Sequence, residues 1–151
     1  MSVELVEFNA KANKVMFLLK GANAAYANSL RRAVLESVPA MAIENVEFRK
    51  NSSVLYDEMI ALRLGLVPLT TDIKGYNLPS KCKCNGEGCA SCQVKLTLKV
   101  EGPATVYSSD LKSKDPKIKP VFPGMPIVKL LKGQALEVEA TAMLGTGSEH
   151  A

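Results

Sequence analysis

The sequence has no tryptophan, a single histidine and no long apolar run. The histidine, His150, is the penultimate residue, and neither a nucleophile motif nor a phosphate-binding glycine loop is present, so we expect no catalysis by this chain alone. No segment approaches the roughly 18 apolar residues of a membrane span, and the first residues lack the layout of a signal peptide. We therefore expect a soluble cytoplasmic protein that is not an enzyme.

The overall composition is that of a folded protein. Apolar residues make up 47% of the chain and charged residues 23%, which excludes the disordered and fibrous classes. A chain of 151 residues is long enough to form a real core or two small lobes. The formal net charge of +4 fits an acidic partner or nucleic acid but is too small to require either.

The first seventy residues predict the order β-β-α-β-α. The predicted strands cover residues 3–8, 14–20 and 41–48, and the predicted helices cover residues 24–38 and 54–66. Asn23 is placed to cap the first helix and Pro39 to stop it, while Ser53 and Pro68 do the same for the second. In the third strand the apolar alternation changes phase, which predicts a bulge near Glu44.

After Pro68 the pattern changes to a polar stretch followed by strands. Strict alternation of apolar and polar residues predicts half-buried strands over residues 94–101 and 136–144. Between them, residues 110–126 hold prolines and lysines too densely for regular structure and predict a loop. We therefore expect an α+β fold with a boundary after residue 69, which separates residues 1–69 from a mostly β lobe over residues 70–151.

Both predicted helices are apolar around more of their circumference than one core face needs. Apolar residues of the first helix span an arc of about 200°, roughly twice the width of a single buried face. The second helix has an apolar stripe and further apolar residues on its other sides. Two interpretations are open: both helices are enclosed within one domain, or the surplus faces contact another subunit. The few predicted strands cover only one face, which favours an interface.

Two adjacent arginines of the first helix have different surroundings. Arg31 falls inside the apolar arc and Arg32 falls on the polar side, because they lie about 100° apart. Either side chain can be solvated, with its aliphatic stem along the surface. An arginine inside an apolar arc more often needs a carboxylate or a carbonyl, which Asp57, Glu58 or an acidic partner surface would supply.

All cysteines of the chain lie within residues 82–92, with the spacing C-x-C-x4-C-x2-C. They are Cys82, Cys84, Cys89 and Cys92. In a reducing cytosol such a cluster favours a metal over disulfides, and Gly86 and Gly88 let the backbone turn between the pairs. Four thiolates close a tetrahedral site, so we expect a structural Zn²⁺. An iron–sulfur cluster is the alternative, although the spacing matches neither common ferredoxin pattern.

Several motifs together resemble one known family. They are NSLRRAVL at 28–35, VPAMAI at 38–43, EF at 47–48, LYDEMIALRL at 55–64, VPL at 67–69, YSSDLK at 107–112, PIVKL at 126–130 and LGTGSEHA at 144–151. Over nearly the whole chain the sequence is similar to the D subunit of archaeal DNA-directed RNA polymerase. That family is the counterpart of the N-terminal region of the bacterial alpha subunit and of the third-largest subunit of eukaryotic RNA polymerase II.

The resemblance implies a dimerisation domain, of which residues 1–69 are the first part, with an inserted β lobe that carries the cysteine loop. It implies that the chain pairs with the L subunit of the polymerase to form the platform on which the two largest polymerase subunits assemble. Some relatives bind zinc in the inserted lobe and others have lost the ligands. The residues expected at subunit interfaces are Asn28, Leu30, Arg31, Arg32, Val34, Leu35, Leu55, Met59 and Leu62.

The sequence also departs from the family pattern. Relatives continue past the segment matching residue 151 with a long helix, so the resemblance implies a truncated or split subunit. Part of the surplus apolar surface would then be covered by the missing segment, so not all of it is interface. Nothing here corresponds to the ferredoxin-like lobe of some relatives. A different hypothesis is a small zinc module for nucleic-acid or protein binding, with phosphate contacts from Lys112, Lys114, Lys117 and Lys119. Those lysines alternate with prolines and Asp115 instead of aromatic residues, which favours a solvated loop.

Overall fold

The computed structural model describes residues 1–149 and consists of two compact units. They are Met1–Val38, the N-terminal unit, and Pro39–Ala151, the C-terminal unit. The last two residues, His150 and Ala151, lie outside the described residues. They are also the last residues of the predicted second lobe and of the final motif. The predicted division after residue 69 falls inside the C-terminal unit, because residues 39–69 pair and pack with the strands that follow them.

The N-terminal unit is a hairpin followed by a helix. Its strands are β1 (Ser2–Asn9) and β2 (Lys14–Lys20), and its helix is α1 (Ala24–Glu36). The predicted cap is confirmed, since the Oδ1 of Asn23 accepts a hydrogen bond from the backbone N–H of Tyr26 at 2.8 Å. The helix ends two residues earlier than predicted, because the backbone N–H of Ser37 bonds to the carbonyl of Ala33 and closes the last turn.

The hairpin has one apolar face, and a bulge in β1 produces it. Val3 and Leu5 lie opposite Leu19 and Phe17, and the register then shifts at Val6. Without this shift, Phe8 would point to the other face, because side chains alternate along a strand. The six side chains that share the apolar face are Val3, Leu5, Phe8, Val15, Phe17 and Leu19. The opposite face carries two ion pairs, Glu4 with Lys20 and Glu7 with Lys14.

The C-terminal unit is mostly β and contains one α-helix among its described residues. Its elements are β3 (Ala40–Asn51), α2 (Asp57–Gly65), β4 (Gln93–Glu101), β5 (Ala104–Tyr107), β6 (Lys112–Ser113), β7 (Pro126–Leu130) and β8 (Ala135–Gly145). A four-stranded sheet has the order β3-β8-β4-β6, and β5 pairs separately with β7. All pairs are antiparallel. Single 3₁₀ turns lie at Pro79–Lys81 and Ser108–Asp110.

The predicted bulge in the third strand is confirmed. The pairing of β3 with β8 shifts between Ile43 and Asn45, so Met41 and Ile43 remain on the buried face together with the partly buried Val46 and Phe48. A second shift between Phe48 and Lys50 lets the strand continue to Asn51, beyond the predicted end. Without the first bulge, Val46 and Phe48 would point to the face opposite Met41 and Ile43, because side chains alternate along a strand.

The second helix begins three residues later than predicted, at Asp57. The prediction of Ser53 as its cap is wrong, because the hydroxyl of Ser53 accepts from the backbone N–H of Leu55 and forms a local turn. The side-chain amide of Asn51 reinforces this turn by donating to the carbonyl of Leu55 and to the carboxylate of Asp57. Leu55 therefore lies before the helix, not on its apolar stripe.

The proline- and lysine-rich segment is more ordered than predicted. It contains the short strand β6, and Pro126 begins β7. Ile118 is fully buried, and the segment is tied down by a hydrogen bond from the backbone N–H of Thr70 to the carbonyl of Lys119 at 2.9 Å. The burial of Ile118 and this hydrogen bond hold the segment in a defined conformation, although its composition is typical of a loop.

A single apolar core fills the C-terminal unit. Ile60 and Leu64 of α2 are fully buried in it, together with residues from β3, β4, β7 and β8. The side chain of Arg63 donates to the carbonyl of Ile127 at 2.7 Å, which fastens the helix to β7. In the part of the chain that the structure describes, no helix is long and apolar enough to cross a membrane.

Candidate metal centre and apolar interface

The cysteine loop, residues 82–92, lies between the first 3₁₀ turn and β4. Three of its residues have positive φ angles: Asn85 at 51°, Gly86 at 88° and Gly88 at 95°. These values reverse the chain twice within a few residues, which glycine allows at little cost. The loop thereby brings Cys82 and Cys84, which precede these residues, close to Cys89 and Cys92, which follow them.

The four cysteine sulfurs lie within 4.8 Å of one another. Sulfur–sulfur distances are 3.5 Å for Cys82 and Cys89, 3.6 Å for Cys84 and Cys92, and 3.8 Å for Cys89 and Cys92. Four sulfurs around a single Zn²⁺ at bond lengths of about 2.3 Å are separated by about 3.8 Å in a regular tetrahedron. The predicted ligands therefore come together at a spacing that fits one metal ion.

The surroundings of the sulfurs differ. The backbone N–H of Gly88, together with the Cys82 thiol, lowers the pKa of Cys84 to about 6. At Cys92, the backbone N–H of Cys89 donates to the sulfur and lowers the pKa, but burial and the neighbouring thiols outweigh it and raise the pKa to about 12. A metal must displace protons from such thiols, so its affinity falls as the pH falls.

Gln93 is a neighbour of the cysteine loop that the sequence analysis did not identify. A Cβ atom at Gly88 would lie 2.6 Å from the Oε1 of Gln93, so the glutamine amide occupies the space that a side chain would take. At Gly86 nothing lies within 4 Å of the corresponding position. That amide is the end of a flexible side chain and can move aside, so the requirement for glycine at position 88 comes mainly from its φ angle of 95°.

The second candidate site is the exposed apolar surface of the N-terminal unit. Throughout Met1–Val38 no residue is buried. The hairpin and α1 enclose a groove of about 400 Å³, named here the α1 groove. Its lining residues are Phe17, Leu19, Ala27, Leu30, Arg31, Val34 and Leu35. An apolar groove of this kind on an otherwise unburied unit is a candidate interaction surface.

The two arginines of α1 differ as the helical arrangement predicts. Arg31 lines the α1 groove, and its Nη2 donates to the Oδ1 of Asn28 at 2.9 Å. The acceptor for Arg31 is thus the side-chain amide oxygen of Asn28 on the same helix. Asp57, one of the carboxylates considered for this contact, accepts a hydrogen bond from Asn51. Arg32 forms an exposed ion pair with Glu36, with the Nε to Oε1 distance at 3.1 Å.

The structure separates the three interface residues predicted from the second helix. Leu55 is partly buried and packs against the core, so only part of its side chain is accessible. Met59 and Leu62 are 46% and 60% exposed and lie on the outer face of α2. Two residues before the helix that the sequence analysis did not select, Val54 and Tyr56, are still more exposed. The apolar surface near α2 therefore extends toward residue 54.

A family model described as the RNA polymerase Rpb3/RpoA insert domain matches residues 42–151, which is more than two thirds of the chain. The chain belongs to this family. Its mostly β fold with two α-helices among the described residues agrees with that membership. The match begins within β3 and includes α2 and the cysteine loop.

Curated relatives of this insert-domain protein are named DNA-directed RNA polymerase subunit Rpo3. The one from Methanosarcina acetivorans is 51% identical over 99% of this chain and 56% of its own length. Those from Archaeoglobus fulgidus and Pyrococcus furiosus are 46% and 44% identical, over 57% and 55% of their lengths. The chain thus spans little more than half the length of the curated relatives it matches.

Three of the four lysines considered for nucleic-acid binding have different surroundings on this insert-domain protein. Lys117 pairs with Asp72, with the Nζ to Oδ2 distance at 2.9 Å. Lys112 lines a hollow that also contains two glutamates, whereas Lys114 lines another beside the cysteine loop. Lysines that lie apart and are partly neutralised by carboxylates are poorly arranged to contact successive phosphates of a nucleic acid.

Proposed function

We propose that this chain is a non-catalytic assembly subunit of a cytoplasmic DNA-directed RNA polymerase, equivalent to the archaeal D subunit. In this proposal it pairs with the L subunit, and the pair forms the platform on which the two largest subunits assemble. The observation that carries the proposal is the N-terminal unit, in which Met1–Val38 buries no residue and leaves the α1 groove open. The relatives named Rpo3 supply the kind of complex.

Elementary energetics support a partner at the N-terminal unit. A two-stranded hairpin is at best marginally stable in water by itself. Burying a Val, Leu or Phe side chain contributes about 1.5–3 kcal/mol. Leu5, Phe8, Val34 and Leu35 are all more than half exposed. A partner that covers this face therefore stabilises the unit that binds it, and we assign that contact to the L subunit.

Within this proposal the polar residues of α1 and the outer face of α2 contact the large subunits. Arg31 and Arg32 are the candidates on α1, since each guanidinium is held by a neighbour on its own helix and still has N–H donors to offer. Met59 and Leu62 are the candidates on α2 because they are exposed. Residues 1–69 then supply the first part of the dimerisation domain, with residues 70–151 as the inserted lobe.

The cysteine loop is proposed to hold one structural Zn²⁺. The donor set is four thiolates, which leaves no open position for water or substrate. The sulfur spacing supports a single ion over an iron–sulfur cluster, because the cysteines of a cluster are bound to different iron atoms and lie further apart. Bound metal would hold the ends of the loop together next to β4 and so fix the surface of the inserted lobe.

Co-purification tests the assembly proposal. The chain is expressed with the L subunit, and the complex is isolated through a tag on that subunit. We expect Val34→Asp, which adds a carboxylate to the α1 groove, to abolish recovery of the chain, whereas Ala12→Asp adds the same charge in the hairpin turn and has no effect. Equal recovery of both variants would refute the interface. Salt-sensitive binding of the chain alone to bare DNA would favour the nucleic-acid module.

Elemental analysis tests the metal separately. We expect one zinc per chain in the purified protein, and Co²⁺ in its place should give the visible absorption of a tetrahedral thiolate site. Iron together with acid-labile sulfide would instead establish a cluster. Because this result does not depend on the L subunit, it remains informative if the assembly proposal fails.

A further inference from the structure

We propose that the cysteine loop is a redox-sensitive switch that releases its metal by forming two defined disulfides, Cys82–Cys89 and Cys84–Cys92. The inference rests on the metal binding proposed above but not on the assembly function. It concerns the pairing of the sulfurs, which the spacing of cysteines in the sequence does not determine, since four cysteines allow three connectivities.

Two short sulfur–sulfur distances favour this pairing. They are 3.5 Å between Cys82 and Cys89 and 3.6 Å between Cys84 and Cys92. These two contacts use every sulfur once. The sulfurs of a disulfide are about 2.05 Å apart, so each pair needs an approach of about 1.5 Å. Nothing lies within 4 Å of a Cβ placed at Gly86, so the backbone between the two halves of the loop has open space beside it.

Of the two competing connectivities, Cys82–Cys92 with Cys84–Cys89 would join the two buried cysteines to each other, where an oxidant has no access. The other uses the C-x-x-C cysteines, Cys89 and Cys92, whose sulfurs are 3.8 Å apart. Each of these two sulfurs has a nearer partner, as the shorter distances show. Joining them would also leave Cys82 and Cys84, which are separated by a single residue. Each proposed disulfide joins a cysteine from the first half of the loop to one from the second half. The backbone therefore keeps its conformation, and metal can bind again after reduction.

Burial gives each pair a defined order of reaction. Cys84 and Cys89 are partly exposed, whereas Cys82 and Cys92 are buried. Each proposed disulfide therefore joins one cysteine that an oxidant can reach with one that it cannot. The exposed member reacts first and the buried member completes the bond, a division of roles found in redox-sensing cysteine pairs.

The oxidant in this scheme is hydrogen peroxide. An exposed thiolate attacks one peroxide oxygen, the O–O bond breaks, and a sulfenic acid and hydroxide result. The buried thiolate then attacks the sulfenic sulfur, forming the S–S bond and expelling a second hydroxide. Two peroxides thus convert four thiolates into two disulfides and four hydroxides. The metal leaves as Zn²⁺, because a disulfide sulfur no longer provides the thiolate ligand that it requires.

Peroxide treatment of the zinc-loaded full chain tests the proposal. A chromogenic chelator follows released zinc, and mass spectrometry of the unreduced protein and its peptides gives the state of the cysteines. We expect release of the bound zinc, a loss of four hydrogens relative to the reduced metal-free chain, and peptides linked as 82–89 and 84–92. Dithiothreitol and added zinc should restore the original zinc content.

Other outcomes overturn the proposal. They are linkage of Cys89 to Cys92 or of Cys82 to Cys92, oxidation to sulfinic or sulfonic acids without disulfides, and retention of zinc after the cysteines have reacted. Cys84→Ser should still form the 82–89 disulfide and leave Cys92 as a free thiol, whereas Cys82→Ser should form 84–92 and leave Cys89 free. The peptide map of the reduced metal-free chain tests the same pairing, so the result is decisive even if zinc loading fails.

Discussion

The Nε and Nη2 atoms of Arg31 both donate to the Oδ1 of Asn28, one turn earlier on α1, at 3.2 and 2.9 Å. This contact holds the guanidinium at the edge of the α1 groove, beside apolar side chains such as Leu30 and Val34. A guanidinium has more N–H donors than one amide oxygen uses, so donors remain for a further acceptor. In the proposed assembly that acceptor is a carboxylate or carbonyl of a partner.

Arg31→Lys should weaken assembly with the large subunits by about tenfold, or about 1.4 kcal/mol, because an ammonium cannot reproduce the two-pronged contact with Asn28. The measurement is a titration of the complex with the L subunit against the large subunits. Arg49→Lys makes the same change at an arginine side chain that is 63% exposed in the C-terminal unit, and it should have no effect. Equal effects of the two variants would contradict a directed role for Arg31.

Two leucines of α2 should separate stability from assembly. Leu64 is fully buried, so Leu64→Ala should lower the free energy of unfolding by about 2–5 kcal/mol through lost apolar contacts and a cavity. Leu62 is 60% exposed, so Leu62→Ala should change the free energy of unfolding by about 0.5 kcal/mol or less but weaken assembly. Denaturant unfolding of the isolated chain and co-purification measure the two effects. A Leu62→Ala chain that assembles normally would remove α2 from the proposed interface.

Local chemistry explains what could be predicted of the fold. The cap at Asn23 and the bulge after Ile43 were predictable because both arise from neighbouring residues. The start of α2 was not, because Ser53 and Asn51 are good capping residues that here close a turn on Leu55. The grouping of residues 39–69 with the C-terminal unit depends on the pairing of β3 with β8, which joins residues far apart in the sequence.

The candidate sites, like the fold, could be predicted only where neighbouring residues determine them. The convergence of the four cysteines follows from their spacing, whereas Gln93 is identified only once the backbone conformation at Gly88 is known. The hairpin side of the α1 groove was missed, although the sequence carried a signal for it. Phe8 is out of phase with Val3 and Leu5, which is the same evidence that predicted the bulge in β3.

Tyr76 should make the stability of the fold depend on alkaline pH. Its hydroxyl donates to the carboxylate of Asp115 at 2.8 Å, and burial together with this bond raises the pKa of Tyr76 to about 12. Since the folded pKa lies above the unfolded value of 10.0, the stabilisation is fully present below about pH 10 and is lost as the pH rises toward 12.

The stability difference between the wild-type chain and Tyr76→Phe should therefore shrink across that pH range, as measured by denaturant unfolding. Tyr56→Phe makes the same substitution at a side chain that is 80% exposed and should leave stability unchanged. A difference that stays constant from pH 9 to pH 12 would show that the contact with Asp115 does not depend on the ionisation of Tyr76.

The two glycines of the cysteine loop should respond similarly to alanine. Both have positive φ angles, 88° at Gly86 and 95° at Gly88, so each substitution should cost about 1–3 kcal/mol of backbone strain and lower zinc affinity accordingly. At Gly86 the new methyl group meets open space, and at Gly88 it meets the amide of Gln93, the end of a flexible side chain that can move aside. Competition with a chelator measures the zinc affinity, and Gly124→Ala is the control, because no atom lies within 4 Å of its added Cβ and its φ is not positive. A much larger loss for Gly88→Ala than for Gly86→Ala, relieved by adding Gln93→Ala, would show that packing against Gln93 and not the backbone conformation sets the requirement for glycine at position 88.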